Sequence, residues 1–208
     1  RARWRFFSEY ESEGEEGEER GLVGTLAAPE QTTQGAEATD QRELLAQAYV
    51  NGNNYNKAIE YIEALPRRTP SVDQAYQKAT YLKGSELFNK EDYQNAVSYF
   101  EKSLASPVDP KYVALASFWN AETYSIGNRY EEAIPFYQKV VSITATEPEV
   151  LAKTRYGLGY ANFNLKQYDQ ALFNFKEFVN KGSKTGPVYA DGVLRLADCY
   201  FVTKAYPE

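Results

Sequence analysis

Four short segments of this chain match one another in phase: Asn54-Tyr-Asn-Lys-Ala-Ile59, Asp92-Tyr-Gln-Asn-Ala-Val97, Arg129-Tyr-Glu-Glu-Ala-Ile134 and Gln167-Tyr-Asp-Gln-Ala-Leu172. Their Ala residues stand at 58, 96, 133 and 171, so the spacings are 96 − 58 = 38, 133 − 96 = 37 and 171 − 133 = 38. Twelve residues before each Ala stands a small residue, Ala46, Gly84, Ala121 and Gly159, with Ala197 beginning a fifth unit. Three residues after it come Tyr49, Leu87, Tyr124, Asn162 and Tyr200, and nine after it Tyr55, Tyr93, Tyr130, Tyr168 and Tyr206. Four residues beyond the later Ala come Ile62, Phe100, Tyr137 and Phe175. Residues four apart share one helical face. A small residue lets a second helix approach closely, and the aromatic fills the space beside it. The pattern therefore predicts two helices per unit, with the second Tyr at the turn between them. A fixed period of this length is the signature of a solenoid, in which each unit buries its apolar face only by stacking on a neighbour.

Composition narrows what such a chain can do. Its 208 residues contain no His and a single Cys, Cys199. Without His there is no Ser-His-Asp or Cys-His proton relay, and the usual nitrogen and sulfur ligands of a zinc site cannot be assembled. No cofactor is implied. Gly157-Leu-Gly159 falls inside a predicted helix with no strand before it, so it reads as close helix packing rather than as a nucleotide fingerprint. Glu131-Glu132 and the Glu147/Glu149 pair read as solvated helix faces, and Cys199 as a small apolar core residue.

Charge divides the chain. Residues 1–40 hold four Arg and ten acids, 4 − 10 = −6, which is the whole net charge. The rest balances, 19 basic against 19 acidic residues, and offers no electrostatic footprint for nucleic acid. The run Glu11-Ser-Glu-Gly-Glu-Glu-Gly-Glu-Glu-Arg-Gly21 is acidic low complexity. Residues 1–40 are accordingly expected to be a flexible tail, an interaction tail, or a stretch introduced in cloning. The solenoid is expected to run over 41–208 in about four and a half units, near 41–72, 73–110, 111–148, 149–187 and 188–208. No apolar run approaches the roughly 18 residues that would suggest a membrane-spanning helix. The chain does not start with Met, so a signal peptide or lipid anchor upstream of Arg1 would lie outside it.

Small–x–x–Tyr, then Tyr–x–x–Ala, then an aromatic four residues on, resembles the tetratricopeptide repeat, from Gln41 to Glu208. The resemblance implies an all-α fold, a right-handed solenoid of antiparallel helix pairs. The family period is about 34 residues. The extra residues here fit between units, in Pro66–Ser71, Ser106–Pro110, Thr146–Pro148 and Lys181–Pro187, where Pro and Gly stop helices and set turns. Pro135 falls inside a second helix, where a mild kink is expected. The long period, with Phe175-Lys-Glu-Phe178 and Tyr189–Phe201, is similar to repeats of Gram-negative envelope proteins. That second resemblance implies a periplasmic or outer-membrane-associated location, with the cytoplasm as its alternative.

The family pattern also implies function: a non-catalytic scaffold whose first helices line an inner, concave surface. The implied inner positions read Glu43, Gln47, Val50; Tyr81, Ser85, Phe88; Phe118, Glu122, Ser125; Tyr156, Tyr160, Phe163; and Leu194, Asp198, Phe201. Asn89 and Asn164 lie one step further along. Aromatic side chains bury much area at low entropy cost, and Asn can pair with an extended peptide backbone. The expected partner-binding groove therefore comprises Tyr81, Ser85, Phe88, Asn89, Phe118, Glu122, Tyr156, Tyr160, Phe163, Asn164 and Asp198, with another protein as the partner. Relatives that grip a chaperone's C-terminal carboxylate use Lys and Asn in the first unit. Glu43 and Gln47 stand there instead, which argues against that mode. The alternatives are a self-assembling element, pairing through the fifth unit, and a non-catalytic arm of a larger enzyme or a secretion or transport machine.

Overall fold

The computed structural model describes residues 34–204, and among these it contains nine α-helices and no strand. They are α1 (Gln34–Asn51), α2 (Tyr55–Glu63), α3 (Pro70–Asn89), α4 (Tyr93–Ala105), α5 (Pro110–Ile126), α6 (Tyr130–Ser142), α7 (Pro148–Asn164), α8 (Tyr168–Lys181) and α9 (Gly186–Thr203). Odd-numbered helices are the first helices of units one to five, and even-numbered ones the second helices. Helix α1 starts at Gln34 rather than near Gln41. The preceding Ala- and Glu-containing stretch, aperiodic in hydropathy, still has the propensity to extend the helix. The acidic run and the Arg1–Phe7 cluster lie outside the described residues.

Unit boundaries follow from local chemistry. Pro70, Pro110 and Pro148 each open a first helix, where the missing N–H costs nothing and the fixed φ suits the first turn. The linker prolines thus start the next helix as well as ending the last. Thr69 and Asp109 add side-chain caps, accepting from the backbone N–H of Val72 at 3.3 Å and of Lys111 at 2.8 Å. Within each unit the turn carries one left-handed residue at the same register: Asn53, Glu91, Asn128, Lys166 and Lys204, with φ between 54° and 61°. In the second unit the Glu91 N–H donates to the Phe88 carbonyl and the Asp92 N–H to the Leu87 carbonyl, both at 2.9 Å. That pair of bonds closes the helix in the Schellman manner. The turn tyrosines, the first residues of the second helices, add to it: the Tyr55 and Tyr130 hydroxyls donate to Asn53 Oδ1 and Asn128 Oδ1 at 2.8 and 2.9 Å. Helix α6 continues through Pro135.

The core is the repeat skeleton itself. Ala58, Ala96, Ala133 and Ala171 are fully buried, and so are Ile62, Phe100, Tyr137 and Phe175 one turn later. A Cβ on Gly84 would stand 2.7 Å from the Phe100 ring, and one on Gly159 equally 2.7 Å from Phe175. Burying each such ring contributes roughly 1.5–3 kcal/mol. Units are joined through first helices, which touch one another in series (α1 with α3, α3 with α5, α5 with α7), while each second helix packs on the first helix of the next unit. Gln77, fully buried in α3, ties the α4–α5 loop. Its Oε1 accepts from the N–H groups of Val108 (3.1 Å) and Asp109 (2.7 Å), and its Nε2 donates to the Asp109 carbonyl at 3.1 Å. No helix among the described residues is long and apolar enough to cross a membrane.

Candidate functional site: the face of the first helices

Five of the eleven residues expected to line the groove are buried: Tyr81, Phe88, Phe118, Glu122 and Tyr156. The correction has a single cause. The first helices pack against each other and against two second helices, and the aromatic rings fill those seams. Tyr81 lies 6.2 Å from Phe100 of its own unit and 5.4 Å from Tyr112 of the next. Phe88 lies 4.8 Å from Trp119, which spans the same junction. Phe118 meets Tyr137 at 6.4 Å. Tyr156 sits between Phe175 (6.2 Å) and Phe178 (5.1 Å). Glu122 accepts a hydrogen bond from the buried Tyr137 hydroxyl, which also meets Ser125 Oγ at 3.2 Å. These side chains fill seams within and between units and offer no surface to a partner.

The other six keep some surface, although the Ser85 hydroxyl is itself buried. Asn89 and Asn164 are exposed, and Ser85, Tyr160, Phe163 and Asp198 are half-buried. Four of these belong to α7 and α9, so the open part of the face lies toward the last units. There Tyr156 and Tyr160 both donate to Asp191 Oδ2, the former at 2.8 Å. Arg195 donates through Nε to the Tyr160 hydroxyl at 3.2 Å and through Nη1 to Asp198 Oδ2 at 2.6 Å. Burial and the Asp191 hydrogen bond push the Tyr160 phenol above its ordinary value, so it stays protonated and can donate. Phe163 packs edge-on against Tyr168 at 5.5 Å. Asn164 Nδ2 donates to the Tyr160 carbonyl at 2.8 Å, leaving its Oδ1 without a donor among the described residues. Beside this polar cluster α9 exposes Leu194 and, at 72% of its surface, Phe201. Cys199 is buried, and burial raises its thiol to about 11, so it stays neutral. No cluster of metal-ligating side chains occurs among the described residues.

Stacked antiparallel helix pairs joined through their first helices define an α-solenoid. Family models described as tetratricopeptide repeat match residues 43–65, 81–148 and 153–181, and the chain belongs to the tetratricopeptide-repeat family. Among solved structures it is similar to YrrB, "a TPR protein with an unusual peptide-binding site". Identity is 17%, the match covers 83% of each chain, and the TM-score is 0.54. It is also similar to MamA from Desulfovibrio magneticus RS-1, with 17% identity over 82% of this chain and 97% of that one and a TM-score of 0.47. At these identities the likeness concerns the fold. No curated protein matches the sequence.

Proposed function

We propose that this protein is a non-catalytic scaffold that holds a peptide segment or a helix of another protein along the face of its first helices. Tyr160, Phe163, Asn164 and Asp198 form the centre of that surface, with Ser85 and Asn89 further along it. The observation that carries this is the mixed surface of α7 and α9. Half-buried aromatics and exposed Leu194 and Phe201 flank an organised Tyr–Asp–Arg cluster, and aromatic anchors beside fixed polar groups are how interfaces concentrate binding energy. YrrB, the similar solenoid, is described as having a peptide-binding site. The long repeat period supports placing the scaffold in a bacterial envelope assembly, and a signal peptide upstream of Arg1 would test that placement. For the binding face, the test is affinity capture with Tyr160→Ala/Phe163→Ala. Proteins held by the wild type should be lost while helical circular dichroism is kept. Unchanged capture contradicts the assignment.

A second reading has its own observation. Helix α9 exposes Val193 and Val202 as well as Leu194 and Phe201, and a second copy covering it would make a dimer. A concentration-independent monomer by light scattering argues against it.

A further inference from the structure

Units two to four have a second seam, where two successive second helices flank a first helix. Two positions line it, with counterparts in the first unit: three residues after the small residue of the first helix, and three after the Ala of the second. In the first unit these are Tyr49 and Tyr61, edge to face at 6.1 Å. Leu87 and Tyr99 hold them in the second unit, where a smaller groove of about 410 Å³ remains between them. In the third, Tyr124 and Phe136 stack at 5.7 Å with 18° between ring planes. The fourth unit has Asn162 and Asn174 instead. No ring fills either position there, and the groove between α6, α7 and α8 widens to about 620 Å³. That size lies within the roughly 300–1,000 Å³ of ligand pockets.

The lining has a definite chemistry. Asn162 is 5% exposed and its carboxamide makes no hydrogen bond to any described residue. A peptide group lying in the groove would meet both its donor and its acceptor. Gln138 and Gln170 add two exposed carboxamides, and Asp169 adds one exposed carboxylate at the edge. Arg155 Nη1 donates to Asn174 Oδ1 at 2.9 Å, and its guanidinium lies 5.3 Å from the ring of Phe173, which is itself 55% exposed. That arrangement fixes the guanidinium plane; Glu177 feels its charge at longer range, yet no carboxylate among the described residues comes within ion-pair distance of it. An oriented cation with spare N–H donors suits a carboxylate in a planar, bidentate mode.

We infer that the groove between α6, α7 and α8 is a second binding site, taking an extended peptide segment of a partner protein that carries an acidic side chain. Asn162 pairs with the peptide backbone and Arg155 with the carboxylate, while Phe173 packs along the segment. The site does not depend on the first-helix face, and variants of one leave the other intact.

The test uses a library of acetylated, amidated hexapeptides, each with one Glu, and a matched library with Gln in its place. Selected Glu peptides should shift the side-chain amide resonances of Asn162. Arg155→Gln should weaken them at least ten-fold. Asn162→Tyr/Asn174→Phe, which rebuilds the pair of the third unit, should abolish binding with helicity retained. If that double variant misfolds, Arg155→Gln decides alone. No selected peptide, equal selection from the Gln library, or binding that survives Arg155→Gln overturns the inference. So does peptide binding seen only after deletion of residues 1–33, which would mean that the chain's own acidic segment occupies the groove.

Discussion

The third and fourth units have the same skeleton and opposite surfaces. In α5 and α6 the inner positions Phe118, Glu122 and Ser125 are all buried, and the outer pair Tyr124 and Phe136 is stacked shut. In α7 and α8 Tyr160 and Phe163 stay half-open on one side, and Asn162 and Asn174 leave a groove on the other. Position in the series contributes to this difference. The third unit has a complete unit packed on each side, whereas α7 meets α9 through hydrogen bonds from Tyr156 and Tyr160 to Asp191. Composition contributes the rest, since two carboxamides replace two aromatics. A repeat protein can thus hold its skeleton fixed and place function in the positions the skeleton does not use.

The sharpest way to separate the two units is to break one of them. Phe175→Ala removes a fully buried ring that packs over Gly159 and should cost about 3–5 kcal/mol. Stability in a solenoid is local, so hydrogen exchange should speed up first in α7 to α9 and stay slow in α3 to α5. Uniform loss of protection would mean that the two regions unfold as one body.

Alkaline pH should stress the second and the fourth units. Burial, and then the hydrogen bond to Glu63, push Tyr76 up to about 12, and the same two kinds of cause raise Tyr160. A raised folded pKa means stability that is fully present below the unfolded value near 10 and lost as pH rises through the folded one. For Tyr76 the loss between about pH 10 and 12 should be roughly 2–3 kcal/mol. Melting temperature should hold from neutral pH to about 9 and then fall, and Tyr76→Phe should blunt the fall. On the acid side the sign reverses: hydrogen bonds from Lys102 and Tyr76 hold Glu63 below the usual carboxylate range. Its contribution is present above the unfolded value and lost as pH falls through the folded one.

The smallest effect tests the turns that both units share. Lys166 holds φ 60° without being Gly. Lys166→Gly relieves that strain but adds freedom to the unfolded chain, so the net gain should be positive and no more than about 1 kcal/mol. Asn128→Gly should gain less, because it also removes the acceptor of the Tyr130 hydroxyl. Urea denaturation of the two variants would read this.

Much of the skeleton was legible in the sequence. In-phase Ala58, Ala96, Ala133 and Ala171, and the small residues twelve before them, follow from helical periodicity and close packing alone. What could not be read was which inner aromatics remain open. Tyr81, Phe88 and Tyr156 occupy positions that face both the inner surface and the seams within and between units, and their contacts with Tyr112, Trp119 and Phe178 draw them inward. The outer groove left a trace that periodicity does not weigh: Asn162 stands where other units have Tyr or Leu. Its meaning depends on Asn174 opposite it, a pairing that only the packed structure brings together.

Under the proposed function, partners are held at the open last units and not along the closed middle ones. Hydrogen–deuterium exchange of the protein with and without the partner it captures tests this most directly. Protection should appear in α7 and α9, around residues 160–164 and 194–201, with α5 unchanged. Protection centred on α3 and α5 that leaves α7 and α9 untouched would contradict the account.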